Sequence, residues 1–198
     1  MSNIFGIDEA GRGPLAGPVS VGAVRIHADF NKKFFKGIKD SKKLIESERD
    51  TWFLLAKEAK KKGELDFAVA LISEKVIDTK GISAAIKLGI KRCLDKLEAG
   101  SGDQVFLDGS LHAPQEFIHQ KTIIRGDEKI PVISLASVCA KVTRDTYMKK
   151  LAKKYPEYCF EDNKGYGTKV HMAALNKFGP SVVHRTSFLK NFDFKLKK

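Results

Sequence analysis

Two adjacent carboxylates close an apolar run near the N-terminus, and a glycine-rich turn follows at once. The run spans residues 3–9 (NIFGIDE) and the turn spans residues 11–14 (GRGP). Burying two neighbouring anions costs free energy unless a cation neutralises them, and bound metal ions commonly do so. Glycines let a backbone approach a ligand closely, and an arginine offers a fork that fits phosphate. The pattern therefore predicts phosphodiester chemistry at the end of a strand; the alternative is a strand that simply runs into a surface turn.

The acid pair also constrains the strand that carries it. Consecutive side chains on a strand point to opposite faces, so Asp8 and Glu9 cannot both chelate from a regular strand. Either the strand ends or bulges between them, or one of the two acts through its carbonyl or from the rim. Gly11 and Gly13 favour an early end. A dinucleotide-binding turn is rejected, because the glycine spacing is wrong and Pro14 stands where the helix would begin.

The charge balance indicates a polyanionic partner. The 198 residues include 36 Lys and Arg against 24 Asp and Glu, a formal charge of +12, with basic residues concentrated at 32–62 and 141–154. Such a field favours nucleic acid, although lysine-rich helices also serve as plain solvated faces. The three cysteines form no CxxC pair, which predicts a reducing, cytoplasmic location without a zinc site or disulfide. We expect no membrane partner, because no apolar run approaches about 18 residues.

The hydrophobic pattern predicts strands and helices that form one α/β domain over residues 1–198, with a sheet covered by helices. Strands are predicted at residues 4–8, 19–26, 65–72, 104–108 and 121–124. Helices are predicted at residues 47–62, 84–98, 134–153 and 168–179, with 32–44 as a basic loop and 155–167 irregular. Residues from about 155 to 198 are expected to form a small helical C-terminal part.

The helix predictions also rest on particular side chains. Ser47, Ser134 and Thr168 are predicted to begin three of them. The inner face of the first helix is predicted to comprise Trp52, Leu55, Ala56 and Ala59. The small side chains of Ala136 and Ala140 predict close packing of the long helix.

Two further acids are candidates for the site. Asp108 ends a short apolar run and precedes Gly109, which places it at the rim of a sheet, where open α/β folds carry their sites. A plain Asp-Gly turn is the alternative. Asp145 is nearly the only acid in a helix whose other charges are Lys and Arg. It either forms an ion pair with Lys141 or Lys149, or adds a fourth carboxylate to the same metals.

Several motifs occur in a fixed order along nearly the whole chain. They are residues 6–19 (GIDEAGRGPLAGPV), 40–44 (DSKKL), 108–109 (DG), 134–145 (SLASVCAKVTRD), 165–168 (GYGT) and 184–188 (HRTSF). In this order the chain resembles the type 2 ribonucleases H, the ribonuclease HII family of bacteria. The sister type 3 enzymes are similar but usually carry an extra N-terminal domain and a final glutamate. Here the first motif starts near residue 5 and the last acid is Asp145, which favours type 2.

The resemblance implies a ribonuclease H-like fold with a mixed central sheet and an endonuclease that uses two divalent ions, Mg²⁺ or Mn²⁺. It implies hydrolysis of RNA in RNA/DNA hybrids and cutting 5′ of ribonucleotides in duplex DNA, with 5′-phosphate and 3′-hydroxyl products. The expected partners are these nucleic acids, with transient contacts to replication or transcription proteins, and the chain is expected to act as a monomer.

The resemblance also assigns site residues. The family's acidic quartet, which holds the metals, falls on Asp8, Glu9, Asp108 and Asp145. Its substrate-binding turn and junction-recognising tyrosine fall on Gly11, Arg12, Gly13 and Tyr166. Two further residues expected to shape the substrate groove are Lys42 and Arg185.

Three alternative functions remain open at this stage: a type 3 enzyme, another metal nuclease of the same fold, and a non-catalytic nucleic-acid-binding module with structural acids. A binding module would not need Mg²⁺. Only a ribonuclease would require a 2′-hydroxyl in its substrate.

Overall fold

A computed structural model describes residues 3–38 and 43–192 of the chain. Its five strands are β1 (Asn3–Ala10), β2 (Val19–His27), β3 (Leu65–Ile72), β4 (Gln104–Asp108) and β5 (Gln120–Ile123). They form one sheet in the order β3-β2-β1-β4-β5. The pairs β1–β2 and β2–β3 are antiparallel, whereas β1–β4 and β4–β5 are parallel. The five predicted strands and the mixed sheet are therefore confirmed, with bounds that differ by at most two residues.

Eight helices are present in the described part of the chain. They are α1 (Glu46–Lys61), α2 (Glu74–Lys80), α3 (Ile82–Lys96), α4 (Gly126–Lys129), α5 (Pro131–Lys154), α6 (Phe160–Asn163), α7 (Lys169–Phe178) and α8 (Thr186–Leu189). Two short 3₁₀ helices are Lys32–Phe35 and Pro156–Tyr158. Within residues 3–38 and 43–192, no helix has both the length and the apolar character that a bilayer crossing requires.

Glycines and alanines bring the helices close to the sheet. A Cβ added to Gly6 of β1 would lie 2.4 Å from the carbonyl carbon of Val132 in α5. One added to Gly22 of β2 would lie 2.4 Å from the carbonyl oxygen of Ala136, which confirms the predicted close packing of α5. On the opposite face, a Cβ at Gly89 of α3 would lie 2.5 Å from Val21. Long helices therefore cover both faces of the sheet, and β1 is buried between them.

A separate apolar cluster underlies the C-terminal helices. Its buried members from α5 are Met148, Leu151 and Ala152. They pack against Leu15 and Ala16 of the β1–β2 loop and against side chains of the C-terminal part, namely Tyr158, Phe160, Ala174, Leu175, Val183 and Leu189. The cluster joins the end of α5 and the β1–β2 loop to the elements that follow residue 155.

Two predictions about α1 are wrong, one about the residue that caps it and one about the width of its buried face. The helix begins after Ile45, and Ser47 lies within its first turn. Ile45 N–H donates to Oε2 of Glu48 at 2.9 Å, so the glutamate caps the helix in place of the predicted serine. Leu55 is 44% exposed, whereas Ala56 and Ala59 are buried. The buried stripe of this helix is therefore narrower than the sequence pattern indicates.

Further differences have local causes. α5 begins at Pro131, because proline is favoured at the first helical position, and Ser134 lies inside the helix. α2 was not predicted from the sequence, since seven residues are too few to show a clear helical period. The predicted cap of α7 is confirmed, because Thr168 Oγ1 accepts a hydrogen bond from His171 N–H at 3.3 Å. Lys42 lies outside the described residues, so its assignment stays a prediction.

Candidate active site

Three carboxylates meet at the end of the two central parallel strands. Asp8 lies on β1, Asp108 ends β4, and Asp127 lies on α4; one oxygen of each is within 4.8 Å of the others. The strand pairing explains the first two positions, because Ile7 is opposite Leu107 and the acids follow directly. Asp8 is 3% and Asp127 is 4% exposed. Such a group of oxygen donors, two buried and one half-buried, is the kind of set that Mg²⁺ or Mn²⁺ binds.

Asp127 is a site residue that the sequence analysis did not single out. Arg125, at φ 55°, turns the chain from β5 into α4. This turn directs two amides at Asp108, whose Oδ1 accepts hydrogen bonds from Gly126 N–H at 2.6 Å and Asp127 N–H at 3.2 Å. Ser134 Oγ donates to the carbonyl of Asp127 at 2.6 Å. One sequence feature could have identified Asp127 as a site residue: it is an acid that follows β5 closely, and β5 pairs with β4 at Asp108.

Asp145 is not a member of the three-carboxylate group that the described residues form. Its carboxylate pairs with Lys141 Nζ at 2.8 Å, the spacing of one helical turn on α5. The structure therefore favours the ion-pair interpretation of this residue, because its charge is already matched by a neighbour four positions away.

Glu9 stands beside the group on the other face of β1. The strand stays regular through both acids, with Asp8 opposite Gly22 and Glu9 opposite Val21, so the predicted early end of the strand is wrong. Asp8 shares the face of Gly6, which packs on α5. Glu9 Oε1 accepts a hydrogen bond from Arg12 Nη1 at 3.3 Å. The regular strand excludes an end or a bulge between the two acids, which leaves the alternative that one of them acts through its carbonyl or from the rim.

The group carries electrostatic strain that a cation would relieve. Burial, followed by repulsion from Glu9 and Asp108, raises the pKa of Asp8 well above its ordinary value of 3.8. Burial also raises the pKa of Glu9; Arg12 counteracts this shift and Asp108 reinforces it. The acids at the end of β1 and β4 thus repel one another in the metal-free protein, and a divalent cation fits both their chemistry and their charge.

In the absence of metal, Asp8→Asn is expected to raise the thermal stability of the protein. A carboxyl whose pKa is raised on folding stabilises the native state only at low pH, and this contribution is lost as the pH rises through the native pKa. The variant should therefore melt higher than wild type in EDTA, with a difference that grows as the pH rises above the ordinary carboxyl pKa of 3.8. Added Mg²⁺ should raise the melting temperature of wild type more than that of the variant. Equal melting temperatures of wild type and Asp8→Asn in EDTA at every pH would contradict the repulsion inferred between these acids.

Arg185 holds the turn that follows β1 from inside the protein. Its side chain is 0% exposed. It donates to the carbonyls of Gly11 at 2.7 Å, Arg12 at 2.9 Å and Gly17 at 2.9 Å. Burial, and then the neighbouring Arg144, lower the pKa of its guanidinium to about 9, so it remains charged at neutral pH. The buried position is consistent with the expectation that Arg185 helps shape the substrate groove, because the residue fixes the loop. It does not fit direct substrate binding, since the side chain is fully buried and all three of these bonds point inward.

Arg144 is the second buried arginine beneath this loop, and the sequence analysis did not single it out. It is 0% exposed and donates to the carbonyls of Pro18 at 2.9 Å and Ala16 at 3.3 Å. A Cβ at Gly11, where φ is +85°, would lie 1.9 Å from its Nε. Gly11 is therefore required for packing against Arg144. A Cβ at Gly13 would meet nothing within 4 Å, so this glycine faces open space.

Tyr166 lies on a turn that rests on the same loop. Leu15 N–H donates to the carbonyl of Gly165 at 2.8 Å, and a Cβ at Gly165 would lie 2.6 Å from the carbonyl oxygen of Ala16. The ring of Tyr166 is 5.9 Å from the guanidinium carbon of Arg144, and the residue is 43% exposed. The structure thus brings the predicted tyrosine and the predicted glycine turn together around Arg144.

A pocket of about 280 Å³ opens beside the turn at Arg12. Polar and basic side chains along its wall are Ser83 and Lys87 of α3 and Ser110 and His112 of the loop after β4. The surface next to the acids therefore has the positive charge and the room that a phosphate backbone needs.

Comparisons with known proteins agree with this architecture. The family described as Ribonuclease HII matches residues 5–191. A Ribonuclease HII of Caldicellulosiruptor bescii is 44% identical over 188 residues, which cover 95% of this chain and 87% of the relative. A Ribonuclease HII of Clostridioides difficile is 42% identical, covering 95% of this chain and 70% of the relative.

Solved structures show the same fold. A chain of the PCNA:RNase HII complex from Archaeoglobus fulgidus superimposes with a TM-score of 0.77 at 25% identity, covering 98% of both chains. The ribonuclease H2 of Pyrococcus horikoshii OT3 gives 0.70 at 25% identity over 93% of both. Bst-RNase HIII, solved with Mn²⁺, shares the fold at 16% identity and a TM-score of 0.63, covering 90% of this chain and 63% of that one.

The mixed sheet, its flanking helices and the acids at the ends of β1 and β4 define a nuclease of the ribonuclease H-like fold. The chain belongs to the ribonuclease HII family, as the family match and the 44% identical relative show. It is an endonuclease with ribonuclease H activity, and the choice of type 2 over type 3 is confirmed.

Proposed function

We propose that this ribonuclease H cuts RNA in RNA/DNA hybrids and also cuts duplex DNA on the 5′ side of an embedded ribonucleotide. The products would carry 5′-phosphate and 3′-hydroxyl ends. The observation that carries the metal-dependent part of this proposal is the approach of Asp8, Asp108 and Asp127 to within 4.8 Å. A non-catalytic module would have no reason to hold three carboxylates this close together, because their mutual repulsion costs free energy.

Asp8, Asp108 and Asp127 would hold two divalent ions, Mg²⁺ or Mn²⁺, with Glu9 beside them. When bound, these ions supply positive charge to the attacked phosphate and acidify the attacking water. The chain itself orients the donors: the amides of Gly126 and Asp127 fix Asp108. The pairing of β1 with β4 fixes Asp8 beside Asp108. Glu9 keeps Arg12 at the edge of the site, where its guanidinium is available to a substrate phosphate.

Selectivity for a ribonucleotide would come from the glycine turn and Tyr166. Because Arg185 draws the carbonyls of Gly11 and Arg12 inward, the outer edge of the turn remains for the sugar at the cut site. The open space at Gly13 admits a 2′-hydroxyl that a side chain would displace. The half-exposed ring of Tyr166 would pack on the next sugar and favour a deoxyribose, whose 2′ position is apolar.

Gly11→Ala and Gly13→Ala form a matched pair that separates packing from substrate contact. Gly11→Ala is expected to destabilise the fold, because its φ of +85° and the Arg144 side chain leave no room for a Cβ. Gly13→Ala should melt like wild type and should weaken cleavage of a single-ribonucleotide duplex by about tenfold or more. Thermal melting and single-turnover cleavage measure the two effects. If the Gly13→Ala enzyme were stable and fully active, the proposal that the outer edge of the turn contacts the ribose would be wrong.

Tyr166→Ala tests the proposed selectivity directly. The variant should lose most cleavage of a duplex with one ribonucleotide and should retain more cleavage of a continuous hybrid, because only the first substrate presents a deoxyribose directly after the ribonucleotide at the cut site. Tyr166→Phe, which keeps the ring, serves as the control and should behave like wild type. Equal losses on both substrates by a folded Tyr166→Ala enzyme would show that this residue only packs the turn.

The remaining expectations extend the same proposal. The Archaeoglobus fulgidus relative was solved in a complex with PCNA, which supports a transient contact of this chain with a replication protein. We also propose that the chain acts in the cytoplasm as a monomer.

A further inference from the structure

Two buried histidines lie behind the turn that carries Tyr166. His171 belongs to α7 and His184 immediately precedes Arg185; they are 0% and 1% exposed. Their Nε2 atoms are 3.0 Å apart. The rings of Tyr158 and Phe160 pack around both, with centroids 4.7–6.1 Å from the imidazoles. One of the two facing Nε2 atoms must carry a proton and the other must not. Two lone pairs or two N–H groups facing each other would repel and would leave buried polar atoms without a hydrogen bond.

The hydrogen-bond partners fix the direction of this contact. Ser181 N–H donates to Nδ1 of His184 at 2.9 Å. A backbone amide can only donate, so Nδ1 of His184 carries no proton and its Nε2 does. That Nε2–H then donates to Nε2 of His171, whose own proton must lie on Nδ1. Nδ1 of His171 is 2.9 Å from the carbonyl oxygen of Tyr166 and donates to it. A one-way chain therefore runs from Ser181 through both histidines to Tyr166.

Both rings are neutral at the pH at which a nuclease works. Burial lowers the pKa of His171, and burial together with the neighbouring His171 lowers the pKa of His184 to about 4. The tautomers deduced from the contacts are thus the states present near neutral pH.

The turn itself depends on its backbone bonds. Glycines flank Tyr166, and the side chain of Tyr166 is 43% exposed, so packing holds the ring only in part. The carbonyl of Tyr166 also accepts Thr168 N–H at 2.8 Å, and its amide donates to the carbonyl of Asn163 at 2.9 Å. Of these partners, His171 is the one that ties the turn to α7 through a side chain.

We propose that His171 and His184 are positioning residues, which set the direction of Tyr166 through its carbonyl and thereby sharpen the choice of a ribonucleotide that precedes a deoxynucleotide. This inference rests on the role proposed for Tyr166. It assigns a function in selectivity to a histidine pair that touches neither the acids nor the substrate.

The test compares two variants of His171 on two substrates. His171→Phe keeps an aromatic ring and removes the donor; we expect about fivefold to tenfold slower cleavage of a single-ribonucleotide duplex, with cleavage of a continuous hybrid within about twofold of wild type. His171→Asn places an amide donor at the position of Nδ1 and should restore most of the lost selectivity. Tyr158→Phe is the control. It removes a hydroxyl that donates to Gly179 and interacts with the Ser181 side chain, and it leaves the bonds from Ser181 N–H through both histidines to Tyr166 in place.

The same measurements in a Tyr166→Ala background separate the two proposals. If Tyr166→Ala changes selectivity, adding His171→Phe should change it no further. If Tyr166→Ala leaves selectivity unchanged, the role proposed for Tyr166 is wrong. If Tyr166→Ala changes selectivity while folded His171→Phe slows both substrates equally, or neither, the histidine inference is overturned.

Side-chain ¹⁵N spectra of the wild-type protein give a readout that does not depend on any variant folding. Near neutral pH they should show a proton on Nδ1 of His171 and on Nε2 of His184. The opposite tautomers, or a charged ring, would overturn the inference.

Discussion

Asp127→Asn is expected to lower the rate of cleavage at saturating Mg²⁺ by about a thousandfold or more, whereas Asp145→Asn should stay within a few-fold of wild type. The first change removes one of three anionic oxygen donors that converge within 4.8 Å, and losing several kcal/mol of transition-state stabilisation corresponds to this factor. The second change breaks a pair with Lys141. Because the pair is partly buried, its loss is expected to lower the stability of the fold, but it removes no metal ligand from the group of three.

Both variants keep the size of the side chain, so each is a control for the other. Circular dichroism and thermal melting establish that the proteins are folded, and single-turnover cleavage of a continuous hybrid measures the effect. If Asp145→Asn were inactive and Asp127→Asn were active, the third metal ligand would be Asp145 on α5 and not Asp127. This result would contradict the site described here.

Arg185→Met is expected to reduce the free energy of unfolding by about 3–5 kcal/mol, because the change leaves three carbonyls without their charged donor. For a chain of this size the melting temperature should fall by roughly 10 °C. Arg92→Met, on the exposed face of α3, is the matched control and should leave the melting temperature nearly unchanged. Urea denaturation measures both.

The outcome separates two roles for Arg185. If the arginine lined the groove, Arg185→Met would keep its stability and would only weaken substrate binding. A normal melting temperature combined with weak binding would therefore contradict the buried position of the side chain.

Strands were predictable from this sequence, because β-branched and apolar residues recur in short runs that turns interrupt. The two acids at strand ends, Asp8 and Asp108, followed from the same pattern. The two acids meet because β1 pairs in parallel with β4. The paired residues are 100 positions apart in the sequence, so no local pattern encodes this contact.

Asp127 and the two buried arginines could not be predicted in the same way. Asp127 follows a four-residue strand and a left-handed Arg125, a context that resembles an ordinary turn. Arg144 and Arg185 resemble surface residues, since arginine is rarely buried, and their partners are carbonyls of residues 11–18, far away in the sequence. Asp145 was misleading for the converse reason: a lone acid in a basic helix attracts attention, yet Lys141 at the preceding turn accounts for it.

Cleavage of an end-labelled DNA duplex that contains one ribonucleotide tests the central claim most directly. The reaction is run with Mg²⁺ and with EDTA, beside an all-DNA duplex of the same sequence. We expect one cut on the 5′ side of the ribonucleotide, with a 3′-hydroxyl upstream and a 5′-phosphate downstream, and no cut in EDTA or in the all-DNA duplex. A cut on the 3′ side, cleavage of the all-DNA duplex, or equal cleavage in EDTA would contradict the account.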